Sequence, residues 1–314
     1  MAIYHTPVML EEVLSFLRPA PDRTYLDGTL GTGGHAQAIL EKSAPTGKLI
    51  GIDADPDSLE IARDRLASFG DRVVFIHGRY ERAREILISQ GMRRVDGVLL
   101  DLGISRTQLE MQDRGFSFSR EDPLDMRMDR TSGPTAAELL SRLTEEELAR
   151  ILRDYGEERW ARRIARAITR RRKARDPIRT TRDLVDAVRS AVPARFRARG
   201  RIHPATRSFQ ALRIRVNCEL EALERFLADL PELLSRGGRC CILSFHSLED
   251  RLVKTQFKAL EKKTEGSVPE AGALPDVRAR DFCRVCRKAV RPSEAEVQRN
   301  PLSRSARLRV LERC

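Results

Sequence analysis

The chain lacks any apolar run near the ~18 residues of a membrane span, which argues against a helical membrane protein. Its first helical pattern, Val8 to Leu17, carries Glu11 and Glu12 and has neither a basic leader nor a small-residue cleavage site. It does not read as a signal peptide, and a cytoplasmic location is expected. Cysteine is scarce: six in 314 residues are too few for a disulfide scaffold. Cys240 and Cys241 sit together in an apolar run that reads as a buried strand, so reduced thiols are expected. Internal repeats are also missing, and the one biased segment is the Arg-rich stretch Arg159 to Arg175. What remains is globular in composition, 41% hydrophobic and 33% charged, with a length that corresponds to roughly two domains.

The net charge of +12 is unevenly placed. Arg150 to Val216 holds 21 Lys or Arg against 6 Asp or Glu, a surplus of 15, so the rest of the chain is slightly acidic. A localised cationic region is the footprint of polyanion binding, whereas a merely solvated helical face mixes its signs. Nucleic acid is the expected partner, and the cluster Arg170, Arg171, Arg172 and Lys173 supplies the candidate phosphate contacts.

Short apolar runs at Thr24–Leu26, Leu49–Ile52, Val73–Ile76 and Val98–Leu102 alternate with helical patterns such as Pro56–Phe69, the signature of a parallel α/β domain. After Gly103 the strand rhythm stops. A polar loop, Gln108 to Arg130, leads into helical patterns at Ala136–Tyr155, Arg159–Arg172 and Thr181–Val192. Near Asn217 the period changes back: Leu220, Leu223, Phe226, Leu227 and Leu230 form an amphipathic helix before the apolar strand Arg239–Phe245. The expected fold is therefore a doubly wound, Rossmann-like α/β domain with an inserted all-helical domain. Its parts are residues 1–104 and 216–314, with the basic, RNA-facing insertion at 105–215. Leu248–Leu260 reads as a further helix, Ala306–Leu311 as a late edge strand and Glu265–Arg280 as a mobile loop.

The first strand ends at Asp27 and opens into Gly28-Thr29-Leu30-Gly31-Thr32-Gly33-Gly34-His35, a glycine-rich turn into a helix. Glycines there allow positive φ and close approach of a ligand. Twenty residues after Gly33, Asp53 ends the second strand, where a carboxylate can accept both ribose hydroxyls. The same glycines fit a dinucleotide fingerprint, so a nicotinamide enzyme must be weighed. Asp27, however, would repel a pyrophosphate, and Asp101 adds a second acid beside the same crevice. S-adenosylmethionine carries an ammonium and a sulfonium and no phosphate, which suits carboxylates better. A methyl donor is favoured over a dinucleotide and over glycines that only turn a corner.

Beyond that crevice, long signatures occur in order: Tyr4-His5-Thr6-Pro7-Val8-Met9-Leu10, Asp27-Gly28-Thr29, Gly33-Gly34-His35, Leu100-Asp101-Leu102-Gly103, Arg114-Gly115-Phe116-Ser117-Phe118, Pro123-Leu124-Asp125-Met126-Arg127-Met128, His203-Pro204-Ala205-Thr206-Arg207, Gln210-Ala211-Leu212-Arg213, and Ser244-Phe245-His246-Ser247-Leu248-Glu249-Asp250-Arg251. Over almost the whole chain they resemble the bacterial RsmH (MraW) methyltransferase family. That resemblance implies a class I methyltransferase with a helical insertion. It further implies methylation, by S-adenosylmethionine, of N4 of a cytidine in 16S small-subunit rRNA, position 1402 in the usual bacterial numbering. Carried over by position, the donor-binding residues would be Gly33, Gly34, His35, Asp53, Tyr80, Asp101 and Gln108. Tyr80 stands where the family often has Phe, and Gln108 alone would read as a solvated loop residue.

Asp101 is also the candidate catalytic group. Many amino-methyltransferases place Pro-Pro-aromatic after the acid or serine that ends the fourth strand, whereas here the run is Asp101-Leu102-Gly103-Ile104-Ser105. Backbone carbonyls near Leu102 and Gly103 are alternative acceptors, and Phe116, Phe118 or Phe245 could supply a stacking ring. Cys283 and Cys286 form a C-x-x-C without a second pair, so no metal site is expected. A non-catalytic RNA-binding assembly factor is the competing class, and oligomeric state is left open.

Overall fold

The computed structural model describes residues 7–197, 203–263 and 281–314. The expected mobile loop at Glu265–Arg280 lies outside the described residues. The chain divides into two compact units: Met1–Gly103 with Leu220–Cys314, and Ile104–Glu219.

The first unit is built on seven strands: β1 (Thr24–Asp27), β2 (Lys48–Asp53), β3 (Val73–His77), β4 (Val95–Asp101), β5 (Leu234–Ser244), β6 (Phe282–Arg284) and β7 (Arg307–Arg313). Their order is β3-β2-β1-β4-β5-β7-β6. The five central strands are parallel, and β7 runs antiparallel to both β5 and β6. Because side chains alternate across a strand, continuous apolar runs bury both faces of such a sheet. Leu26, Ile50, Ile52, Val98, Leu100, Cys240 and Ile242 face the helices Ala83–Ser89, Glu219–Leu233 and Ser247–Lys263. Tyr25, Leu49, Leu99, Cys241 and Leu243 face Leu10–Leu17, Gly34–Lys42 and Pro56–Leu66. The sheet is thus doubly wound. None of the six cysteines is disulfide-bonded, and burial pushes the Cys241 thiol up to about 12.

Two features differ from the sequence reading. The late strand, expected at Ala306–Leu311 as an edge, runs from Arg307 to Arg313 and is covered by β6. β6 is only three residues long, too short to show a period. It is held by Phe282, buried in the core, and by Arg284, whose Nε donates to Glu261 at 2.8 Å.

In the second unit the described residues form helices without a named strand; a single bridge pairs Pro123 with Thr180. The pattern Ala136–Tyr155 is two helices, Ala136–Arg142 and Glu145–Gly156. Thr144 breaks it: its hydroxyl accepts from Glu147 N at 3.2 Å while Glu147 reaches back to Thr144 N at 2.8 Å, a capping box that starts a new helix. Helix Thr206–Asn217, which the sequence pattern does not reveal, buries Phe209, Ala211, Leu212 and Ile214.

Several signature motifs build this unit. Arg114, 1% exposed, donates to the carbonyls of Arg127 and Met128, and Asn217 clasps Met126 O and Met128 N at 2.8 Å each. Gly115 is at φ 71°, and a Cβ there would lie 2.5 Å from Pro123 O. No helix among the described residues is long and apolar enough to cross a membrane.

Candidate active site

The register of the central strands creates a notch. Asp27 pairs with Gly51 on one side and Leu99 on the other, so Asp53 and Asp101 stand two residues further along on either flank, about 7 Å beyond it. This is where strand order reverses, between β1 and β4, the position at which open α/β sheets bind ligands. Burial pushes the Asp27 carboxyl up to about 7, helped by the charge of Asp53 and opposed by hydrogen bonds from Thr29. Burial likewise raises Asp53 to about 6, offset by the amides of Asp55 and Gly31. Asp101 reaches about 8, from burial first and then from Asp27 and Glu249. The Asp101 residue retains some exposure as a whole, yet its Oδ1 is buried and accepts no hydrogen bond from the described residues.

The loop after β1 is anchored to these acids. Gly31 N donates to Asp53 Oδ2 at 2.6 Å, Asp55 N donates to Asp53 Oδ1 at 2.8 Å, and Thr29 N donates to Asp27 Oδ1 at 3.1 Å. Gly31 is at φ 53° and a Cβ there would meet little, so this backbone is open to a ligand. Gly33 caps helix Gly34–Lys42 at φ 80°, with Leu66 3.1 Å from where its Cβ would be. Gly34 lacks a side chain for another reason: a Cβ would lie 2.6 Å from Pro7. His35 is buried, and its Nε2 lies 3.1 Å from Val8 O, to which it must donate; burial lowers its pKa to about 4. The His35 ring therefore fastens the N-terminal segment as a neutral group. Tyr80 packs edge-to-face on Phe226, with ring centroids 5.8 Å apart, and its Cβ is 3.0 Å from where a Cβ on Gly28 would be.

Past β5, Glu249 accepts from Phe245 N at 2.8 Å, which places its charge near Asp101. Thr29 and Glu249 were missed as site residues by the sequence reading. The signals were there, since Thr29 lies in the loop directly after β1 and Glu249 in the first turn of the helix that follows β5. Asp250 of the same motif is structural: Arg307 and Arg309 donate to it at 2.7 Å each, outweighing burial and holding its pKa below the usual range.

Gln108 belongs to the other unit. It is buried in helix Arg106–Glu110, where its Oε1 accepts from Ser105 N at 3.0 Å in a capping box, so it is not a solvated loop residue. The cationic cluster is also divided. Arg171 pairs with Asp176 and Asp183, and Arg172 donates to the carbonyls of Leu140, Ser141 and Leu143. Both are committed within the helical unit, while Arg170 and Lys173 are exposed. Cys283, opposite Glu312 in the sheet, has its thiol pushed up to about 12 by burial and by Cys314.

Together, the 3-2-1-4-5-7-6 sheet and the acidic notch at its switch point define a class I methyltransferase whose cofactor is S-adenosylmethionine. The chain belongs to the MraW methylase family, whose model matches residues 2–314. It is 50% identical over 309 residues to the ribosomal RNA small subunit methyltransferase H of Syntrophotalea carbinolica, covering 98% of each chain. It is 48% identical over 313 residues to the protein of the same name from Syntrophobacter fumaroxidans, covering 99% of this chain and 97% of that one. The residues present fit the cofactor: the buried Oδ1 of Asp101, which accepts no hydrogen bond from the described residues, suits a cationic ligand, and buried Asp27 and half-buried Asp53, the latter on the open Gly31 backbone, complement it.

Proposed function

We propose that this protein, acting in the cytoplasm, methylates N4 of a cytidine in 16S small-subunit rRNA carried by the small ribosomal subunit. The observation that carries the reading is the notch of Asp27, Asp53 and Asp101 around an open glycine loop. The rRNA substrate is supported by the names of its relatives and by the helical unit, which holds 27 Lys or Arg against 17 Asp or Glu.

When bound, the donor supplies a methyl group activated by a positively charged sulfur. Each Asp53 oxygen accepts one backbone amide and keeps a lone pair for a ribose hydroxyl. Asp27 and Asp101 provide negative charge for the donor's cationic end. The cytosine amine is a poor nucleophile because its lone pair is delocalised into the ring. Asp101 Oδ1 accepts a hydrogen from that amine, orients it and takes the proton that the alkylated nitrogen sheds. Burial raises the Asp101 carboxyl toward the operating pH, and the cationic donor favours the ionised form that can accept the proton. Alignment and exclusion of water supply the remainder of the rate.

Of the three candidate stacking rings, Phe116 is buried and Phe245 packs against the sheet core. Phe118 is 38% exposed and stacks on His203 with centroids 4.5 Å apart, joining two signature motifs.

The test is incubation of the protein and labelled donor with undermethylated small subunits, followed by mapping of the modified nucleotide. Label on cytidine N4 is expected. Label on another base or atom, or displacement of the donor by NAD, would overturn the reading.

A further inference from the structure

The helical unit carries a second cluster that the methyl-transfer chemistry does not use. Trp160 and Phe196 lie with ring centroids 5.4 Å apart and planes at 45°. Arg159 sits over both, its Cζ 5.3 Å from the Trp160 centroid and 5.4 Å from that of Phe196. Arg163 lies 5.5 Å from the Trp160 centroid and Arg195 lies 4.9 Å from that of Phe196. Both rings pack by one side on the unit's core and remain partly exposed, while the three arginines are exposed. Among the described residues, none of these three guanidiniums forms an ion pair, in contrast to Arg171.

We propose that this cluster is a stacking site for unpaired RNA nucleotides, separate from the base that is methylated. A structural role alone would favour aliphatic packing and would leave the arginines extended into water. Here exposed guanidiniums lie over partly exposed rings, and bases stack on both guanidinium and aromatic planes. Unpaired positive charge beside those planes matches the backbone of a single strand, and the net charge of the unit gives the same sign over a wider surface. An acidic protein segment would meet the charge but has no use for the planes. The inference rests on the RNA-methylating reading and extends it to a region of the substrate away from the reaction.

The chain has a single Trp, so its fluorescence reports on this cluster alone. The full-length protein is titrated with a short oligouridylate and, separately, with inorganic polyphosphate, which has the charge without the bases. Saturable quenching by oligouridylate and little by polyphosphate is expected. Arg159→Gln and Phe196→Leu should each weaken oligouridylate binding about fivefold or more, the low end for the loss of one base stack, with thermal melting unchanged. Equal quenching by both polyanions, or unchanged affinity in both variants, would overturn the stacking site. The same preparation is assayed for methyl transfer to undermethylated small subunits, and this separates the two readings. Transfer without base-dependent quenching removes the platform only; quenching without transfer removes the methylation reading and leaves a single-strand binding site.

Discussion

The backbone amide of Asp101 donates to the hydroxyl oxygen of Thr29 at 2.6 Å, tying the end of β4 to the loop that leaves β1. The Thr29 hydroxyl in turn hydrogen-bonds Asp27, so one side chain sets the spacing of two carboxyls that repel each other when ionised. Thr29→Val keeps the shape and removes both bonds. Its expected effect is a loss of ~1 to 3 kcal/mol in stability from the unpaired Asp101 amide, with a fall in turnover that Thr29→Ser restores. Denaturant melts and single-turnover methyl transfer check this; equal activity in the Val variant would leave Thr29 a loop residue only.

The Asp53 carboxylate holds the glycine loop at Gly31 and its own following turn at Asp55. Asp53→Ala should weaken donor binding at least about tenfold, because the loop loses its anchor and the ribose its acceptor, a loss of ~1 to 3 kcal/mol. Calorimetric titration with the donor is the measurement, and unchanged affinity would remove Asp53 from the site.

The positions of the three acids were legible from the sequence because strand ends announce themselves: an apolar run that stops at a carboxylate needs no distant partner to be recognised. The Thr29 to Asp101 bond was not legible, since it joins a loop to a strand end 72 residues away and depends on strand order. β6 was hidden because three residues show no period, and helix Thr206–Asn217 because Arg207, Arg213 and Arg215 interleave with its buried residues. The break at Thr144 was readable as Thr-x-x-Glu, although the apolar spacing ran through it. The division of the Arg cluster could not be read locally, because the acceptors of Arg172 are carbonyls of another helix.

That division gives opposite expectations for neighbouring residues. Arg172→Ala should destabilise the helical unit, leaving three carbonyls without their donor, and should leave the salt dependence of RNA binding intact. Replacing Arg170 and Lys173 together by Gln should preserve melting and reduce the salt slope, by about 0.7 for each phosphate that is no longer neutralised on single-stranded RNA. Binding measured across a salt series decides; a slope that moves with Arg172 and not with Arg170 and Lys173 would reverse the assignment.

The raised carboxyls make stability depend on pH in a defined sense. Asp27, Asp53 and Asp101 titrate near 7, 6 and 8 in the fold, against values near 4 when unfolded. Below about 4 they impose no penalty; as pH rises toward 8 the unfolded chain ionises them more readily, and the ligand-free protein loses stability. A cationic donor favours the ionised forms, so the stabilisation it adds should grow over the same window. Thermal melts with and without donor from pH 5 to about 8 test both trends, and a gap between the two curves that does not widen with pH would contradict the assignment.

Asp101 itself separates binding from chemistry. Asp101→Asn keeps the shape and one acceptor oxygen but removes the charge and the proton acceptor. If its carboxylate acts on the target amine, turnover should fall by about 10² to 10⁴, the usual range for a general base, while donor affinity changes less than about tenfold because Asp53, Asp27 and the loop amides remain. Weakened ground-state binding would instead raise the donor KM and leave kcat intact at saturation. The two outcomes differ further in pH: the limb of the kcat profile that Asp101 sets, drawn below its ligand-free value by the cationic donor, should vanish in the variant if the acid takes part in the reaction. A variant with normal kcat, a raised donor KM and an unchanged pH profile would leave Asp101 as a binding residue for the cationic donor.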